Sequence, residues 1–344
     1  MEIKHTIPLA QFTTLGVGGP AKHFVSARTG TDVARAFEWA AATGESVFVL
    51  GGGSNILVSD AGFDGLVLKI EVPGVERFED GEGTLVTAGA GEDWDTLVES
   101  CVAQGLAGFE CLSGIPGTVG GTPVQNVGAY GQEVSQTIVS VQCFDRSTST
   151  EVSLTNAECG FEYRKSIFNT SERDRYVVLS VCYRLQKNGE ATISYRDLKD
   201  AFANRIPTLA EVRDSVLAIR RSKSMVIDPD DPNSRSAGSF FKNPIVPSSV
   251  AEAITANGTS EEIPQFPAGE GLVKIPAAWL IERAGLSKGF ALGRAGISHN
   301  HSLAIVNRGG ATAADIVALK NLIQQTVRDK FGIDLKPEPI LVGF

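Results

Sequence analysis

Cysteine is scarce in this chain, and no two cysteines are spaced as Cys-x-x-Cys. The five that occur are odd in number and scattered: Cys101, Cys111, Cys143, Cys159 and Cys182. A disulfide framework or a zinc site needs paired or closely spaced cysteines, so neither is expected, and a reducing cytoplasm fits this usage. The histidines also lack paired metal spacing, and we interpret His299-Asn300-His301 as a hairpin turn. No metal is therefore expected.

Long apolar runs and an excess of basic residues are absent as well. No run approaches the roughly 18 apolar residues needed to span a bilayer, and residues 1–5 lack the basic-then-apolar pattern of a secretory leader. The net charge of −9 argues against broad nucleic-acid binding. We therefore expect a cytoplasmic protein without nucleic-acid or membrane partners, and we expect a monomer.

At 344 residues the chain is too long for one ordinary core, which predicts two or three domains. Periodicity and capping signals predict helices over residues 31–42 (capped by Thr31), 93–104, 208–223, 277–284 and 313–331, and a short helix that starts at Ser194 and carries Tyr195. Apolar runs predict strands over residues 47–50, 56–58, 66–68, 85–87, 139–144, 177–183, 303–306 and 340–342.

Glycine is abundant, and two glycine-rich stretches carry the cofactor hypothesis. The first glycine loop, Gly51-Gly52-Gly53-Ser54-Asn55, follows a predicted strand, as a phosphate-binding turn should. It leads into another strand and lacks Gly-Lys-Ser/Thr, which excludes a P-loop and argues against a Rossmann fingerprint. Phosphate would instead be bound by a nest of backbone N–H groups together with the Ser54 and Asn55 side chains.

The second glycine loop covers residues 113–131 and contains six glycines and two prolines. This composition predicts an irregular backbone. Charge is absent and apolar residues are interspersed, whereas a flexible linker would be more polar. A backbone-lined wall around a large, flat, phosphate-bearing cofactor explains the composition, and a buried irregular turn is the alternative.

One serine stands out in the serine segment, Ser236-Ala237-Gly238-Ser239-Phe240-Phe241-Lys242-Asn243-Pro244. Gly238 permits close approach of a ligand to the backbone, and the two phenylalanines anchor the segment in a core. Pro244 disfavours helical geometry at Asn243. The pattern predicts a stiff strand or loop that presents the Ser239 hydroxyl, and a buried strand with a capping serine is the alternative.

Several motifs occur in the order found in one enzyme family. They are the two glycine loops, the serine segment, Phe161-Glu162-Tyr163-Arg164-Lys165-Ser166-Ile167-Phe168 and the terminal Pro337-Glu338. Over nearly the whole chain, from Phe12 onwards, they resemble the UDP-N-acetylenolpyruvoylglucosamine reductases of bacterial cell-wall synthesis. The resemblance implies noncovalent FAD, NADPH as the reductant, and a nucleotide-sugar substrate whose enolpyruvyl ether becomes a lactyl ether.

The same resemblance implies an α+β fold with three parts. A two-subdomain FAD-binding fold of the PCMH/vanillyl-alcohol-oxidase type would comprise residues 1–71 with 334–344, and residues 72–223. A third α+β domain, residues 224–333, would bind the substrate.

The resemblance also assigns the catalytic roles to Arg164, Ser239 and Glu338. Adding hydride to the β-carbon of an enolpyruvyl group pushes negative charge toward its carboxylate, which an arginine can hold with a fork of donors. The α-carbon then needs a proton from a group within reach, and Ser239 is the implied donor. Glu338, rigid between two prolines, would orient against the enolate. These roles require that the three side chains face a single pocket.

Further contacts follow by the same matching. The implied cofactor contacts are Gly51, Gly52, Gly53, Ser54, Asn55, Ser113, Ile115, Gly117, Gly120, Gly121, Gln125, Asn126 and Arg220. The implied substrate contacts are Tyr163, Tyr195, Lys223, Asn243 and Phe266. Basic residues at positions 220–223 also suit the last turn of a helix, so compensation of the helix dipole is an alternative role. At position 266 relatives often carry tyrosine, and phenylalanine could stack on uracil but could not contact a phosphate through a hydroxyl.

Two other functions stay open at the level of sequence. A flavin oxidase of the same binding fold would act on an alcohol or hydroxy acid, and many such oxidases tether flavin through histidine or cysteine. Neither glycine loop contains those residues. A non-catalytic nucleotide-sugar binder would purify colourless, whereas a flavoenzyme would be yellow.

Overall fold

The computed structural model describes residues 1–203, 205–256 and 263–344. The chain divides into two compact units: residues 1–7, 21–53 and 63–226 form the first, and residues 8–20, 54–62 and 227–344 form the second. The three-part division with boundaries near residues 71, 223 and 333 stays a prediction. Within the described residues, no helix is both long and apolar enough to cross a membrane.

Helices and strands are mixed along the chain, in agreement with the predicted α+β class. The described helices are α1 (Gly30–Thr43), α2 (Trp94–Ala103), α3 (Arg196–Phe202), α4 (Leu209–Ser222), α5 (Ser248–Ala256), α6 (Ala277–Arg283) and α7 (Ala313–Phe331). The described strands are β1 (Lys4–Pro8), β2 (Pro20–Ala27), β3 (Val47–Leu50), β4 (Ile56–Val58), β5 (Phe63–Ile70), β6 (Val75–Glu79), β7 (Thr84–Gly89), β8 (Leu106–Ala107), β9 (Gly128–Ala129), β10 (Gln132–Glu133), β11 (Ile138–Asp145), β12 (Thr150–Thr155), β13 (Tyr176–Lys187), β14 (Ile245–Pro247), β15 (Phe266–Pro267), β16 (Leu272–Lys274), β17 (Ala291–Leu292), β18 (Ala295–Ile297), β19 (Ile305–Asn307) and β20 (Ile340–Val342).

The first unit contains two main sheets and a large apolar core. The smaller sheet has the order β1-β2-β5-β3, with β2, β5 and β3 parallel. The larger runs β12-β11-β13-β7-β6, all antiparallel, and β8 also pairs with β13. Leu68 of β5, Trp94 of α2 and Val181 of β13 are all buried in this core. The first glycine loop begins where β3 ends, so the parallel pairing of β3 with β5 positions it.

The second unit has a core of its own. Its sheets run β14-β16-β15 and β17-β18-β19, and β4 pairs in parallel with β20. Leu57 of β4 and the serine segment's Phe240 and Phe241 are buried in this core together with one face of α7. The predicted apolar stripe of α7 is confirmed, and the helix ends at Gly332, whose φ of +68° is the left-handed conformation that glycine adopts most readily.

Two helices begin at residues other than those predicted. Helix α1 is capped by Thr29 and not by Thr31, because Asp32 completes a reciprocal cap: its N–H donates to Thr29 Oγ1 at 3.1 Å, and that hydroxyl donates to Asp32 Oδ2 at 2.9 Å. Helix α3 begins at Arg196, so Tyr195 is its cap residue and not part of the helix. Both differences lie within two residues of a helix start, and boundaries are the part of a helix that is least sharply defined.

Candidate active site

The two glycine loops contact each other through backbone atoms in the first unit. A Cβ placed on Gly52 would lie 2.6 Å from Gly117 Cα and 2.9 Å from Thr118 N, which is too close for any side chain. Gly53 has a φ of +65°, in the left-handed region. Glycine is therefore required here, and it brings two stretches of bare backbone side by side.

Thr118 adds a polar atom to the same place. Its Oγ1 is buried and has no hydrogen-bond partner within the described part of the chain, and a Cβ on Gly51 would lie 3.2 Å from it. A buried hydroxyl without a partner costs about 1–3 kcal/mol, which an oxygen of a bound group would offset. Bare backbone beside such a hydroxyl fits a phosphate-bearing cofactor. The sequence analysis did not select Thr118, although a threonine directly after a loop glycine was an available signal.

A charged pair fastens the second glycine loop. Asp95 Oδ1 accepts a hydrogen bond from the Gly114 N–H at 2.6 Å, and Arg213 donates to the two Asp95 oxygens at 2.6 and 3.0 Å. Burial opposes ionisation of Asp95, but the hydrogen bonds from Arg213 and Gly114 lower its pKa overall. The other side of Gly114 is held by Arg220, whose Nε donates to the Gly114 carbonyl at 3.2 Å.

Arg220 is buried, and its guanidinium contacts backbone carbonyls of the protein. Only 7% of it is exposed, and burial lowers the pKa of its guanidinium. A second donor contacts the Met225 carbonyl at 2.7 Å. The structure thus gives Arg220 a part in holding the loop, and its contact with a flavin phosphate stays a prediction.

Other residues predicted to contact the cofactor already have protein partners. The Ser113 hydroxyl donates to the Glu110 carbonyl at 2.7 Å, and the N–H groups of Gly120 and Gly121 donate to backbone carbonyls at 3.0 and 2.9 Å. Asn126 Nδ2 donates to two protein oxygens at 2.8 and 3.1 Å. These groups shape the loop, while Ile115 and Gln125 are half-buried.

The second glycine loop is less irregular than its composition predicts. Val119–Gly121 form a 3-10 turn, and β9 pairs with β10 in a short hairpin. Backbone hydrogen bonds thus replace the wholly irregular path that was expected, because glycine permits the tight turns that close them.

Arg164 occupies a tight turn of the first unit. The turn is closed by two backbone hydrogen bonds between Glu162 and Lys165, at 3.0 and 3.1 Å. Arg164 has a φ of +57°, and one of its terminal nitrogens donates to the Gly128 carbonyl at 2.8 Å. Its guanidinium lies 5.2 Å from the centre of the Tyr163 ring. The second glycine loop therefore helps to set the direction of the guanidinium.

Two predicted substrate residues lie close to each other in the first unit. Tyr195 is 44% exposed and packs edge-to-face on Tyr130, with ring centres 5.4 Å apart. Partial burial raises the pKa of Tyr195, and so does the neighbouring carboxylate of Asp197. Lys223 Nζ lies 3.3 Å from that same carboxylate. Asp197 thus links the two residues.

In the second unit, the serine segment lies between two other stretches of chain. On one side, the Phe240 N–H donates to the Leu303 carbonyl at 2.8 Å, and on the other the Glu338 N–H donates to the Phe240 carbonyl at 2.9 Å. Ser239 and Glu338 are both half-buried. The structure therefore brings these two predicted residues onto neighbouring segments. Arg164 belongs to the first unit, and its convergence with them stays a prediction.

Ser239 has a partner that the sequence analysis did not predict. His301 Nε2 lies 3.2 Å from Ser239 Oγ, across 62 positions of sequence. The predicted turn at residues 299–301 is confirmed, since it joins the antiparallel β18 and β19. Strand β19 begins at Ile305 and not at Leu303, whose carbonyl accepts a hydrogen bond from the serine segment. No local pattern could have found this pair.

Asn55, the last residue of the first glycine loop, contacts the Glu338 segment within the second unit. Its Nδ2 donates to the Glu338 carbonyl at 3.4 Å, and its own carbonyl accepts from the Ile340 N–H at 3.0 Å. Ser54 is half-buried beside it. The residue predicted to contact the cofactor therefore also anchors the stretch that carries Glu338.

The two remaining predicted substrate residues lie in the second unit. Asn243 Oδ1 accepts from the Ala277 N–H at 2.9 Å, at the start of α6. Phe266 is 53% exposed on β15, an outer strand of its sheet. Among the described residues, no group of three or more His, Cys, Asp or Glu side chains could hold a metal ion.

Comparison with known proteins gives matches along the whole chain. Residues 230–342 match the family model described as "UDP-N-acetylenolpyruvoylglucosamine reductase, C-terminal domain", and residues 21–154 match "FAD binding domain". The chain is 46% identical over 351 residues to the UDP-N-acetylenolpyruvoylglucosamine reductase of Thermobifida fusca, covering 98% of this chain and 97% of the relative. It is 47% identical over 356 residues to that of Nocardia farcinica, covering 99% and 90%.

A solved structure agrees with these relatives. The crystal structure of UDP-N-acetylenolpyruvylglucosamine reductase from Thermus caldophilus matches with a TM-score of 0.65 and 27% identity, over 99% of this chain and 98% of that one. The predicted fold, the FAD cofactor and the oxidoreductase class are thereby confirmed. The chain belongs to the family of UDP-N-acetylenolpyruvoylglucosamine reductases.

Proposed function

We propose that this protein uses NADPH to reduce the enolpyruvyl ether of UDP-N-acetylglucosamine to UDP-N-acetylmuramate, a step in the synthesis of peptidoglycan precursors. The observation that carries the proposal is the backbone hydrogen bond from Glu338 to Phe240, the residue that follows Ser239. The relatives, 46% identical over nearly the full chain, support the same substrate class.

The residues that would hold FAD lie in the two glycine loops. Gly51, Gly52 and Gly117 allow close approach of a phosphate, and the Thr118 hydroxyl would donate to one of its oxygens. FAD bound there would supply the hydride chemistry, with NADPH as the reductant and the β-carbon of the substrate as the acceptor.

Arg164 would bind the carboxylate of the enolpyruvyl group. A guanidinium can hold two carboxylate oxygens at once, and this grip strengthens as negative charge develops there. The hydrogen bond to the Gly128 carbonyl uses one terminal nitrogen of Arg164 and fixes the plane of the fork. Arg164 therefore favours the charge distribution of the transition state.

Ser239 would protonate the α-carbon. A serine hydroxyl is a weak acid, so it can serve only against a strongly basic enolate. The buried Phe240 and the hydrogen bonds on both of its backbone sides hold the hydroxyl's position. Glu338, held by Pro337 and Pro339, would orient against the same enolate.

Five of the predicted residues would contact the nucleotide-sugar. We assign Tyr163, Tyr195 and Lys223 of the first unit to this role, and Asn243 and Phe266 of the second. The exposed ring of Phe266 is suited to stacking on a base, and Lys223 can supply charge to a phosphate.

The decisive experiment separates the two halves of the reaction. The purified protein should be yellow, and NADPH should bleach the flavin absorbance in the absence of oxygen. Adding the enolpyruvyl nucleotide should restore the absorbance and produce UDP-N-acetylmuramate. Restoration by oxygen alone would indicate an oxidase, and a colourless protein would indicate a nucleotide-sugar binder.

We also propose that the protein acts as a monomer in the cytoplasm. Light scattering of the purified holoenzyme tests the first point, since a dimer would have twice the 36.4 kDa mass of the chain. Cell fractionation tests the second point.

A further inference from the structure

The contact between Ser239 and His301 is not used by the chemistry proposed above. Ser239 Oγ and His301 Nε2 are 3.2 Å apart, and both side chains are half-buried. The distance is within hydrogen-bonding range, and partial burial strengthens such a bond. The contact therefore bears directly on the state of the Ser239 hydroxyl.

The chain around His301 is held by hydrogen bonds within the second unit. The Ala304 N–H donates to the His301 carbonyl at 3.1 Å, and the following Leu303 carbonyl accepts from the serine segment. Ser302 is buried, and its hydroxyl donates to the Glu282 side chain. A ring carried on such a fixed turn can hold a neighbouring group in one orientation.

The direction of this hydrogen bond decides what Ser239 can do. A serine hydroxyl has one proton and can donate it in one direction only. If Ser239 donates to Nε2, its proton points at the ring and cannot reach a substrate. If Nε2 carries the hydrogen and donates to Oγ, the hydroxyl proton is directed elsewhere. Only the second arrangement suits a proton donor.

We propose that His301 is a positioning residue whose Nε2–H donates to Ser239 Oγ and turns the hydroxyl proton toward the substrate, an inference that rests on the proposed function. In the protonation step the Ser239 O–H bond breaks, a C–H bond forms at the α-carbon, and the electron pair stays on Oγ. The Nε2–H stabilises that oxyanion. A solvent proton then restores the hydroxyl.

The kinetic test compares His301→Ala with His301→Gln in the holoenzyme. Each variant is reduced by NADPH without oxygen and then mixed with the enolpyruvyl nucleotide. Glutamine can present an amide N–H near the position of Nε2, whereas alanine has no donor. We expect His301→Ala to slow flavin reoxidation about 100-fold and His301→Gln by less than about 10-fold, because one oxyanion donor is lost only in the first.

Matched measurements decide the outcome. Reduction by NADPH should be unchanged in both variants, and His299→Ala, at an exposed position two residues earlier, should behave like the wild type. The proposal is overturned if His301→Ala reoxidises at the wild-type rate, or if His301→Gln is as slow as His301→Ala. Failure of the wild type itself to reoxidise would instead contradict the proposed function.

NMR of the ¹⁵N-histidine-labelled holoenzyme tests the hydrogen bond without turnover. The four histidines give a small set of ring signals, and His301→Gln assigns those of His301. We expect a hydrogen on Nε2, and we expect Ser239→Ala to shift that signal while leaving the other three rings unchanged. A His301 ring protonated only at Nδ1 would overturn the proposal whatever the kinetics show.

Discussion

At the scale of single residues, Arg164 combines an unusual backbone with a fixed side chain. Its φ of +57° lies in a region that side-chain-bearing residues seldom adopt, and such conformations are concentrated at functional sites. The Gly128 carbonyl and the Tyr163 ring both contact its guanidinium. The backbone strain and these contacts together hold the guanidinium in one direction.

Replacing Arg164 by lysine tests its role in binding carboxylate. An ammonium cannot make a forked contact, so we expect kcat/KM for the enolpyruvyl nucleotide to fall about 10- to 100-fold, the loss of one charge-assisted hydrogen bond. Flavin reduction by NADPH should be unaffected. Arg173→Lys, at an exposed position of the same unit, is the control. Equal effects of the two changes would contradict the assignment.

Ser239→Ala tests the proton donor. We expect normal bleaching of the flavin by NADPH and a loss of about 10²- to 10⁴-fold in reoxidation by the enolpyruvyl nucleotide, the range for removal of a general acid. Stopped-flow absorbance measures both steps. Ser248→Ala, whose hydroxyl donates to the Gly271 carbonyl in the same unit at 2.9 Å, should match the wild type. Comparable losses in both half-reactions would remove Ser239 from this role.

At the scale of elements, helices α2 and α4 fix the second glycine loop through Asp95 and Arg213. Asp95 belongs to α2 and accepts a hydrogen bond from the Gly114 N–H. Arg213 belongs to α4 and donates to Asp95. Only 9% of the Arg213 side chain is exposed, against 33% for Asp95. Loss of the carboxylate would therefore leave a buried guanidinium without its main partner.

Asp95→Asn should destabilise the protein by about 1–2 kcal/mol after allowance for solvent screening, and should weaken FAD binding. The folded-state pKa of Asp95 lies below its ordinary value of 3.8. Its stabilisation is therefore complete above that value and is lost as the pH falls through the lower, folded-state pKa. Urea unfolding at several pH values measures the difference. Asp214→Asn, at an exposed position on α4, is the control, and an equal loss there would refute the argument.

The sequence predicted elements well where the signal is local. The capping box of Thr208 and Glu211 and the stripe of α7 are patterns within a few residues, and both are confirmed. Thr29 was missed because two threonines lie within reach of one turn. The contact of His301 with Ser239 depends on the path of the whole second unit, which no local pattern encodes. The same reason explains why the anchoring of Glu338 by Asn55 was not predicted.

At the scale of the whole molecule, each of the two units has a large apolar core of its own within the described residues. Leu68 is fully buried in the core of the first unit, and Leu57 is fully buried in the core of the second. A cavity in one core removes contacts from that core only. The two units should therefore respond separately to such a change.

Leu57→Ala and Leu68→Ala together test whether the two units respond separately, because each change creates a cavity in one core. Each change should lower the free energy of unfolding of its own unit by about 2–5 kcal/mol. Hydrogen exchange read by mass spectrometry should increase for β4, β20 and α7 in Leu57→Ala, and for β5 and β7 in Leu68→Ala. The prediction is contradicted if either change raises exchange equally in both sets.

The discontinuous second unit has a consequence for synthesis of the chain. Residues 8–20 and 54–62 are translated before most of the first unit, but residues 227–344, which complete their unit, are made only after all of the first unit. Leu15, Val17 and Leu57 must therefore stay exposed while the first unit is being translated, because their core does not yet exist. A nascent chain halted near residue 226 should bind chaperones through these segments even when its first unit has folded.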